Sequence, residues 1–527
     1  MSHEMKPNAG FLSIPRELQL NILSSLSCQD ILRCTSVSKA LCQMYMSSSE
    51  LQYIVELSGQ RLLHISNTDN VSIPVSKRLQ LLRDKAHAWF KVDPHSFETV
   101  SLPKNMHSNK QFVADGHIYL WDQEEDMATI IPILPKSSQK TVKRNWSPGT
   151  LFSVPDSGHL DVFMDPAQNL IATAYSVIDA TLESNDETLY IDLGVLDKDG
   201  IHPQAAGRTL FLSMLPASKD KCFVTESAKL KGFGRHIALR RSFAHPFDEM
   251  WQLHIWDWQH SATSNSVLSG TNFLPSPIDF CFLGNNRLLV AADRLMLYSI
   301  EDMSQTPQLL ACFLMPVLSL YIQCFLPMDH IDSSPQLQAQ QAMYTSDPQN
   351  QLLCITTGAG QTFVISTRIF FNLKGIAAAT PVPWERWGPS NTRIFELSGE
   401  SRVHVSGNRV LQALSVGTSA SGDAEYILHI LDFSPLAVTN RRGLGRVVKE
   451  PSTIPKFVEW TGRPVKNLIT SLPYVEVILD RKFESGELAD VWVEKDRIYL
   501  LNTKFDHEVV GSAHYAIEYN ELEVTDI

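Results

Sequence analysis

The apolar positions change period along the chain. Between Phe11 and Leu41, Leu18, Ile22 and Leu26 recur every four residues and Leu23 widens the stripe, which predicts a short amphipathic helix. Ser13 is placed to cap that helix, Pro15 fits its first turn where a missing N–H costs nothing, and Glu17 suits its positive end. Ser27-Cys28-Gln29-Asp30 reads as a capping-box-like start, with Asp in place of the usual Glu. A second short helix then carries Ile31, Cys34 and Val37 or Ser38 on one side, and Leu41 and Tyr45 suggest a third. Helices this short bury too little surface to stand alone, so their apolar faces need a neighbour. Leu51–Leu63 continues helically, Asn67–Pro74 is a polar linker, and Val75–Phe90 is a further amphipathic helix. In that helix Leu79, Leu82, Ala86 and Trp89 or Phe90 align, while Lys77, Arg78, Arg83, Asp84 and Lys85 take the wet side. It predicts a rigid connection, unlike a Gly/Ser tether.

From Phe97 onward helical periodicity gives way to short β-branched and aromatic runs between Gly, Pro, Asn, Asp and Ser clusters. Runs of one plan, strand then polar turn, end at Trp121-Asp122, Leu196-Asp197, Trp256-Asp257, Ile300, near Thr367, at Leu431-Asp432 and at Asn502. Asp165–Tyr175 and Asn285–Ala292 read as turns leading into inner strands. This recurrence resembles a degenerate WD-type β-propeller of about seven blades, each a four-stranded sheet. The Gly-His dipeptides are misplaced for the hydrogen-bonded tetrad of that family; Gly116-His117 sits directly before a Trp-Asp. The runs also lie farther apart than the roughly 40–45 residues of a standard blade. Asp332–Gln351, Pro381–Arg393 and Val416–Asp423 read as insertions that lengthen the spacing, and a two-sheet sandwich is the alternative architecture.

The N-terminal stretch carries Ile14-Pro15, Glu17-Leu18, Ile22, Leu26, Asp30, Leu32, Cys34, Val37-Ser38-Lys39 and Leu41 in order. In this it resembles an F-box, the adaptor-binding motif of substrate receptors in cullin-RING ubiquitin ligases (the SCF type). Ser48–Leu57 and Ser76–Phe90 are similar to a large group of fungal, basidiomycete-type F-box proteins. The chain departs from the commoner pattern at Ile14 for Leu, at Ala40 for a basic residue, and at Gln52 where many F-boxes have Trp. The resemblance implies that Ile14, Pro15, Leu18, Ile22, Leu26, Leu32, Val37 and Leu41 meet a Skp-type adaptor. It divides the chain into a disordered terminus (1–10), an F-box helical module (11–60), a linker-helix region (61–96) and a propeller-like recognition domain (97–527).

At 527 residues the chain is long enough for a second large core, and its 44% apolar and 19% charged residues describe a folded protein. A net charge of −12 argues against nucleic acid as the main partner. The eight cysteines have neither zinc-ligand nor disulfide-framework spacing, and Met1–Gly10 has no apolar signal region. These features suit the cytoplasm or nucleus. Leu309–Met328 is uncharged and long enough for a bilayer, yet Pro316 near its centre and its strand-like setting predict two buried strands meeting at a bend.

No phosphate-cradling loop, nucleophile elbow or metalloprotease helix is present in the sequence, so neither a cofactor, a metal nor a catalytic residue is expected. Basic clusters are the candidate client-binding residues: Arg235 with Arg240 and Arg241, Arg441 and Arg442 with Arg446 and Lys449, and Lys140, Lys143 and Arg144 beside Trp146. Guanidinium forks of this kind suit an acidic or phosphorylated peptide, although charge runs more often only face water. The sequence thus supports a non-catalytic substrate receptor. Two readings stand beside it: a propeller scaffold whose N-terminal helices are a structural cap, and an enzyme built on propeller loops.

Overall fold

Short apolar runs pair with their neighbours in sequence, and in a computed structural model they form seven antiparallel sheets set as the blades of a propeller. The structure describes residues 10–65, 73–93, 95–102, 110–135, 141–154, 157–178, 187–211, 222–244, 249–272, 278–316, 322–326, 344–358, 360–396, 402–418, 424–439, 445–454, 467–484, 488–494, 497–510 and 513–527. Residues 1–9, expected to be disordered, lie outside them.

Blade 1 runs from Lys110 to Trp146, blade 2 from Gly158 to Phe211, blade 3 from Cys222 to Asn272 and blade 4 from Asp279 to Leu314. Blade 5 spans Ile322 to Glu396, blade 6 Arg402 to Glu484, and blade 7 Leu488 to Asp526. Blade 6 has a fifth strand, Arg446–Val448, at its edge. Blade 7 takes its outermost strand from the start of the body: Glu98–Ser101 pairs antiparallel with Ala513–Asp526, joining the two ends of the ring. Each interface between adjacent blades has its own apolar cluster, such as Ile237, Trp256 and Trp258 against Leu170 and Ile191 between blades 2 and 3.

The uneven spacing of the repeated runs has a specific origin. Those ending at Leu196-Asp197, Trp256-Asp257, Ile300, Thr367 and Leu431-Asp432 are third strands, whereas His117–Asp122 and Arg497–Val510 are second strands of blades 1 and 7. The units at Asp165–Tyr175 and Asn285–Ala292 likewise lead into second strands, inside blades 2 and 4. Period-2 alternation marks any buried strand, so it does not distinguish ranks within a blade. The Pro381–Arg393 insertion is in fact structured: Trp384–Asn391 is a helix that buries Trp384 and Trp387 against blades 4 and 5.

Polar side chains tie the innermost strands together. Lys110 pairs with Asp161 at 2.9 Å, and the other oxygen of Asp161 accepts the Leu230 N–H at 2.7 Å. Lys231 and Lys229 share Asp279 at 2.8 and 3.2 Å, and Asp279 also accepts the Cys324 N–H at 2.7 Å. Burial alone would raise the Asp279 pKa, but the two ammoniums and that N–H bring it down to about 2. Burial and the Lys231 charge push Lys229 down to about 8, against the pull of Asp279. The uncharged stretch Leu309–Met328 supplies the outer strand of blade 4, Gln308–Leu314, and the inner strand of blade 5, Ile322–Phe325; residues 317–321 are outside the described set. Among the described residues no helix is long and apolar enough to cross a membrane.

Ahead of the ring come five helices: α1 (Arg16–Ser24), α2 (Cys28–Val37), α3 (Lys39–Ser47), α4 (Ser49–Gly59) and α5 (Val75–Ala88). Helix α1 begins two residues later than expected: Pro15 is its N-cap position, while Ser13 closes a preceding 3-10 turn by donating to Gly10 O. The neighbour that α1–α3 require is α4. Its Leu51 and Val55 pack with Leu23, Ile31 and Met44, and its Tyr53 and Leu57 pack with Leu79 and Leu82 of α5. Arg83, expected in water, instead reaches the buried Glu56 at 3.1 Å.

Candidate functional site

Three of the helices owe their start to hydroxyl caps, with Ser48 capping α4. The Ser27 oxygen accepts the Asp30 N–H at 3.2 Å, opening α2, and Ser38 does the same for Leu41, opening α3 after a single extended residue. The sharp α2–α3 corner leaves Leu32 and Val37 on the outside, 44% and 78% exposed. On α1 the expected stripe splits. Leu23 is buried and Leu26 is half-buried in the module's core, whereas Leu18 and Ile22 are 51% and 45% exposed. Pro15 is exposed, Ile14 is half-buried, and Leu41 packs inward beside Leu26.

Of the sequence-predicted docking residues, then, Pro15, Leu18, Ile22, Leu32 and Val37 present apolar surface to solvent, and Ile14, Leu26 and Leu41 brace the helices behind them. Sequence reasoning missed Phe11, Leu12 and Met46, which are also exposed. The first two sit on the 3-10 turn that Gln19 holds through bonds to Phe11 O and Ile14 O at 3.1 and 2.9 Å. Their signal was available as two large apolar residues ahead of the helix. Residues 11–51 match the F-box-like family model.

The N-terminal helices are therefore an F-box-like domain, carried on a seven-bladed propeller. Among solved structures the chain is similar to the C-terminal WD40 domain of Sif2, at 11% identity and TM-score 0.35 over 80% of this chain and 97% of that one. It is also similar to the WD40 domain of SCAP from fission yeast, at 9% identity and TM-score 0.30 over 82% and 96%. Streptogramin B lyase aligns at 8% identity and TM-score 0.32 over 82% and 97%. No curated protein sequence matches the chain.

Among the described residues, Arg240, Arg241 and Arg144 of the basic clusters are engaged inside the fold. Arg240 and Arg241 are only 5% and 7% exposed: Arg240 donates to the Ile278 carbonyl, and Arg241 holds Gln252 Oε1 at 3.2 and 2.9 Å. Only Arg235 of that trio is well exposed, at 39% of its side chain, beside Asp257. Arg144 bolts blade 1 to blade 2, donating to the carbonyls of Val195, Leu196 and Lys198, with its guanidinium over Trp146 at 4.2 Å. Arg446 is open, with 72% of its side chain exposed, and it forks onto Glu476 at 2.9 and 2.5 Å. That carboxylate also receives His429 Nδ1 at 2.8 Å, and these partners hold the Glu476 pKa below its usual range. Lys140, Arg441 and Arg442 lie outside the described residues. The strand His236–Ala244 is covered on both faces, so its adjacent arginines are spent internally, Arg240 on the Ile278 carbonyl at the entry to blade 4 and Arg241 on Gln252 of its own blade.

His236 and His254 illustrate the same economy. Burial, with Arg235 and Arg241 respectively adding repulsion, pushes them down to about 4 and about 3, so both are neutral core imidazoles. Among the described residues no group of His, Cys, Asp and Glu is arranged to hold a metal.

Proposed function

We propose that the chain is a non-catalytic substrate receptor that docks on a Skp-type adaptor and brings client proteins to a cullin-RING ubiquitin ligase. One observation carries this reading. The segment that matches the F-box-like model turns Leu18, Ile22, Leu32 and Val37 to water while α4 fastens it to the propeller. Large aliphatic side chains exposed together on neighbouring short helices gain when a partner covers them, by roughly 25 cal/mol per Å² of apolar surface removed from water. The adaptor-contacting set is Ile14, Pro15, Leu18, Ile22, Leu26, Leu32, Val37 and Leu41, with the half-buried members acting by holding the helices apart at the right angle.

Client recognition falls to the propeller. The helices sit over blades 5 and 6 on the side of the strand 1–2 and strand 3–4 connections, at Asn350, Ser366, Asn408 and Leu436. The opposite side, with the 2–3 and 4–1 connections, is left for a client. Arg446, with Arg441 and Arg442 beside it in sequence, lies in the 3–4 connection of blade 6, on the side of the helices, and is the remaining basic candidate for an acidic client group at that blade's edge. The chemistry of transfer then belongs to other ligase components, and this chain acts by raising the local concentration of client lysines, in the cytoplasm or nucleus.

Co-expression with a Skp-type adaptor tests the reading. A stable one-to-one complex is expected, lost on Leu18→Asp or Leu32→Asp with the propeller still folded. A monodisperse chain that ignores the adaptor would instead favour a scaffold with a helical cap.

A further inference from the structure

The joint between the helices and the propeller is built more heavily than a tether requires. Helix α4 ends at Gly59, where an added Cβ would lie 2.9 Å from the Leu436 Cβ, so only glycine lets the helix come this close to blade 6. The chain then turns through Arg61 in the left-handed region, at φ 55°, a conformation a residue with a Cβ keeps only where its surroundings hold it. They do: the Arg61 carbonyl accepts the Asp347 N–H at 3.0 Å, and its guanidinium donates to Asn350 O at 3.3 Å and Ser366 Oγ at 3.5 Å, all in blade 5. One residue earlier, the Gln60 carbonyl accepts from Asn408 Nδ2 of blade 6 at 3.4 Å. Leu62–His64 then pairs antiparallel with Tyr344–Ser346, inside the span of blade 5.

The far end of α5 is anchored equally well. Trp89 is 1% exposed and lies in the cluster that joins blades 6 and 7, with Leu411, Leu428, Ile430, Val491 and Leu500. The Arg409 guanidinium covers its ring at 4.7 Å and pairs with Asp432 at 3.1 Å. One short stretch, from Gly59 to Trp89, therefore holds blade 5 by a strand, blade 6 by close packing and blade 7 by a buried indole. Among the described residues, the side-chain bonds of α1, α2 and α3 end within the helical module, and their core closes on α4.

We propose that α4, the Gln60–His64 turn and α5 are a staple of the propeller, folding and unfolding with blades 5 to 7, so that the boundary of the cooperative unit lies between α3 and α4. It cuts across the F-box-like segment, which ends in the first turn of α4. This propeller is closed by the hydrogen-bonded pairing of its two end strands, and a clamp across neighbouring blades opposes opening elsewhere in the ring.

Hydrogen exchange of the full chain under rising denaturant, read by mass spectrometry, tests the boundary without any substitution. Residues of α4 and α5 are expected to lose protection in one step with Leu352–Thr357 of blade 5 and Arg409–Thr418 of blade 6, with α1–α3 exchanging earlier. Exchange of α1 to α5 in one step, before either blade opens, overturns the proposal. Two variants of the full chain add independent readouts. Trp89→Ala is expected to bring the opening of blades 5 to 7 forward while blades 2 and 3 keep their protection, and blades 5 to 7 unchanged in that variant also overturn it. Ile31→Ala is expected to speed exchange in α1–α3 alone; loss of protection spreading from it into blades 5 and 6 would place the boundary wrongly. If Trp89→Ala does not fold, the unmodified chain and Ile31→Ala still decide. None of these readouts involves an adaptor, so the receptor reading can fail while the staple stands.

Discussion

Helices α1–α3 and α4–α5 are both short and amphipathic, yet they spend their apolar residues differently. Of the residues in α4, Leu51, Tyr53, Val55, Glu56 and Leu57 are buried, on two faces that serve α1–α3 and α5. Helix α1 buries only Gln19 and Leu23, and α2 only Ile31, although each carries further large aliphatic side chains. The contrast separates two causes of hydrophobicity. In α4 it is explained by packing, and in α5 by the burial of Leu79 and Leu82, although Leu81 stays 41% exposed. In α1 and α2 the surplus at Leu18, Ile22, Leu32 and Val37 stays exposed among the described residues, and that surface is where a partner is to be sought.

The largest way to sharpen this contrast is at Trp89. Truncation to alanine removes a fully buried indole and the ring beneath Arg409, a change of the class that costs about 3–5 kcal/mol. The whole loss should appear as a lower midpoint for the propeller in chemical denaturation followed by tryptophan fluorescence and far-UV circular dichroism. A variant with an unaltered midpoint would show that α5 only rests on the ring.

Acid separates the two regions next. His236 and His254 are buried neutral, depressed to about 4 and about 3, and His404, an acceptor for the Val493 N–H at 3.1 Å, is likewise pushed by burial to about 4. Below the ordinary histidine range the unfolded chain binds protons that the folded one refuses. Stability is therefore full above about pH 6.5 and falls as the pH drops toward 4 and 3. Asp279 does not contribute in the upper part of this window, because its depressed pKa of about 2 keeps the stabilising charge until the pH falls below the ordinary carboxylate range. No histidine occurs between Phe11 and Ser47, so α1–α3 lack this liability. Thermal midpoints measured from pH 7 to 4 should fall, and replacing His254 with Leu should flatten the slope; an unchanged slope would mean that the imidazole titrates normally in the fold.

What could be read in advance follows the same division. Helix periodicity and the ordered Ile14-Pro15 to Leu41 pattern were local signals, written within a few turns, and the helices and the F-box-like match follow them. The seven blades were legible because each repeats one strand-and-turn plan, and the rank of each strand was not, because second and third strands are equally buried. The fate of the arginines was the least legible. Arg240 and Arg241 look like a basic patch in sequence, and only the neighbouring strands, which bring Ile278 O and Gln252 within reach, make them internal ties. The split of Leu18, Ile22, Leu23 and Leu26 into outward and inward sets likewise required the position of α4, which lies on the inward side only.

A smaller effect is expected at the cap of α2. Ser27→Ala removes the oxygen that accepts the Asp30 N–H and the partner that first lowers the Asp30 pKa, with Arg33 second. Loss of a hydroxyl cap costs about 1 kcal/mol. Since α2 packs only within the module, the loss should appear as faster amide exchange in Cys28–Val37, with no shift in the propeller's midpoint. A shift of the propeller by the same amount would mean that the two regions unfold together.

The smallest change to stability should accompany the largest change in binding. Leu18 and Leu32 are half in water already, so placing Asp there forfeits little packing, and surface substitutions of this kind usually alter stability by less than about 0.5 kcal/mol. At position 18 the new carboxylate would also lie near the positive end of α1, which begins at Arg16, and this offsets part of any loss. The partner's side of the balance is opposite: an aspartate pressed into an apolar groove must shed its hydration with nothing to replace it, a cost of several kcal/mol. Leu18→Asp should therefore leave the denaturation midpoint in place and abolish co-purification of a Skp-type adaptor. Leu23→Asp, in the same helix but on its inward face at 4% exposure, should lose both. If the two substitutions behave alike, the outward leucines belong to the fold, and the difference between α1–α2 and α4–α5 is one of degree.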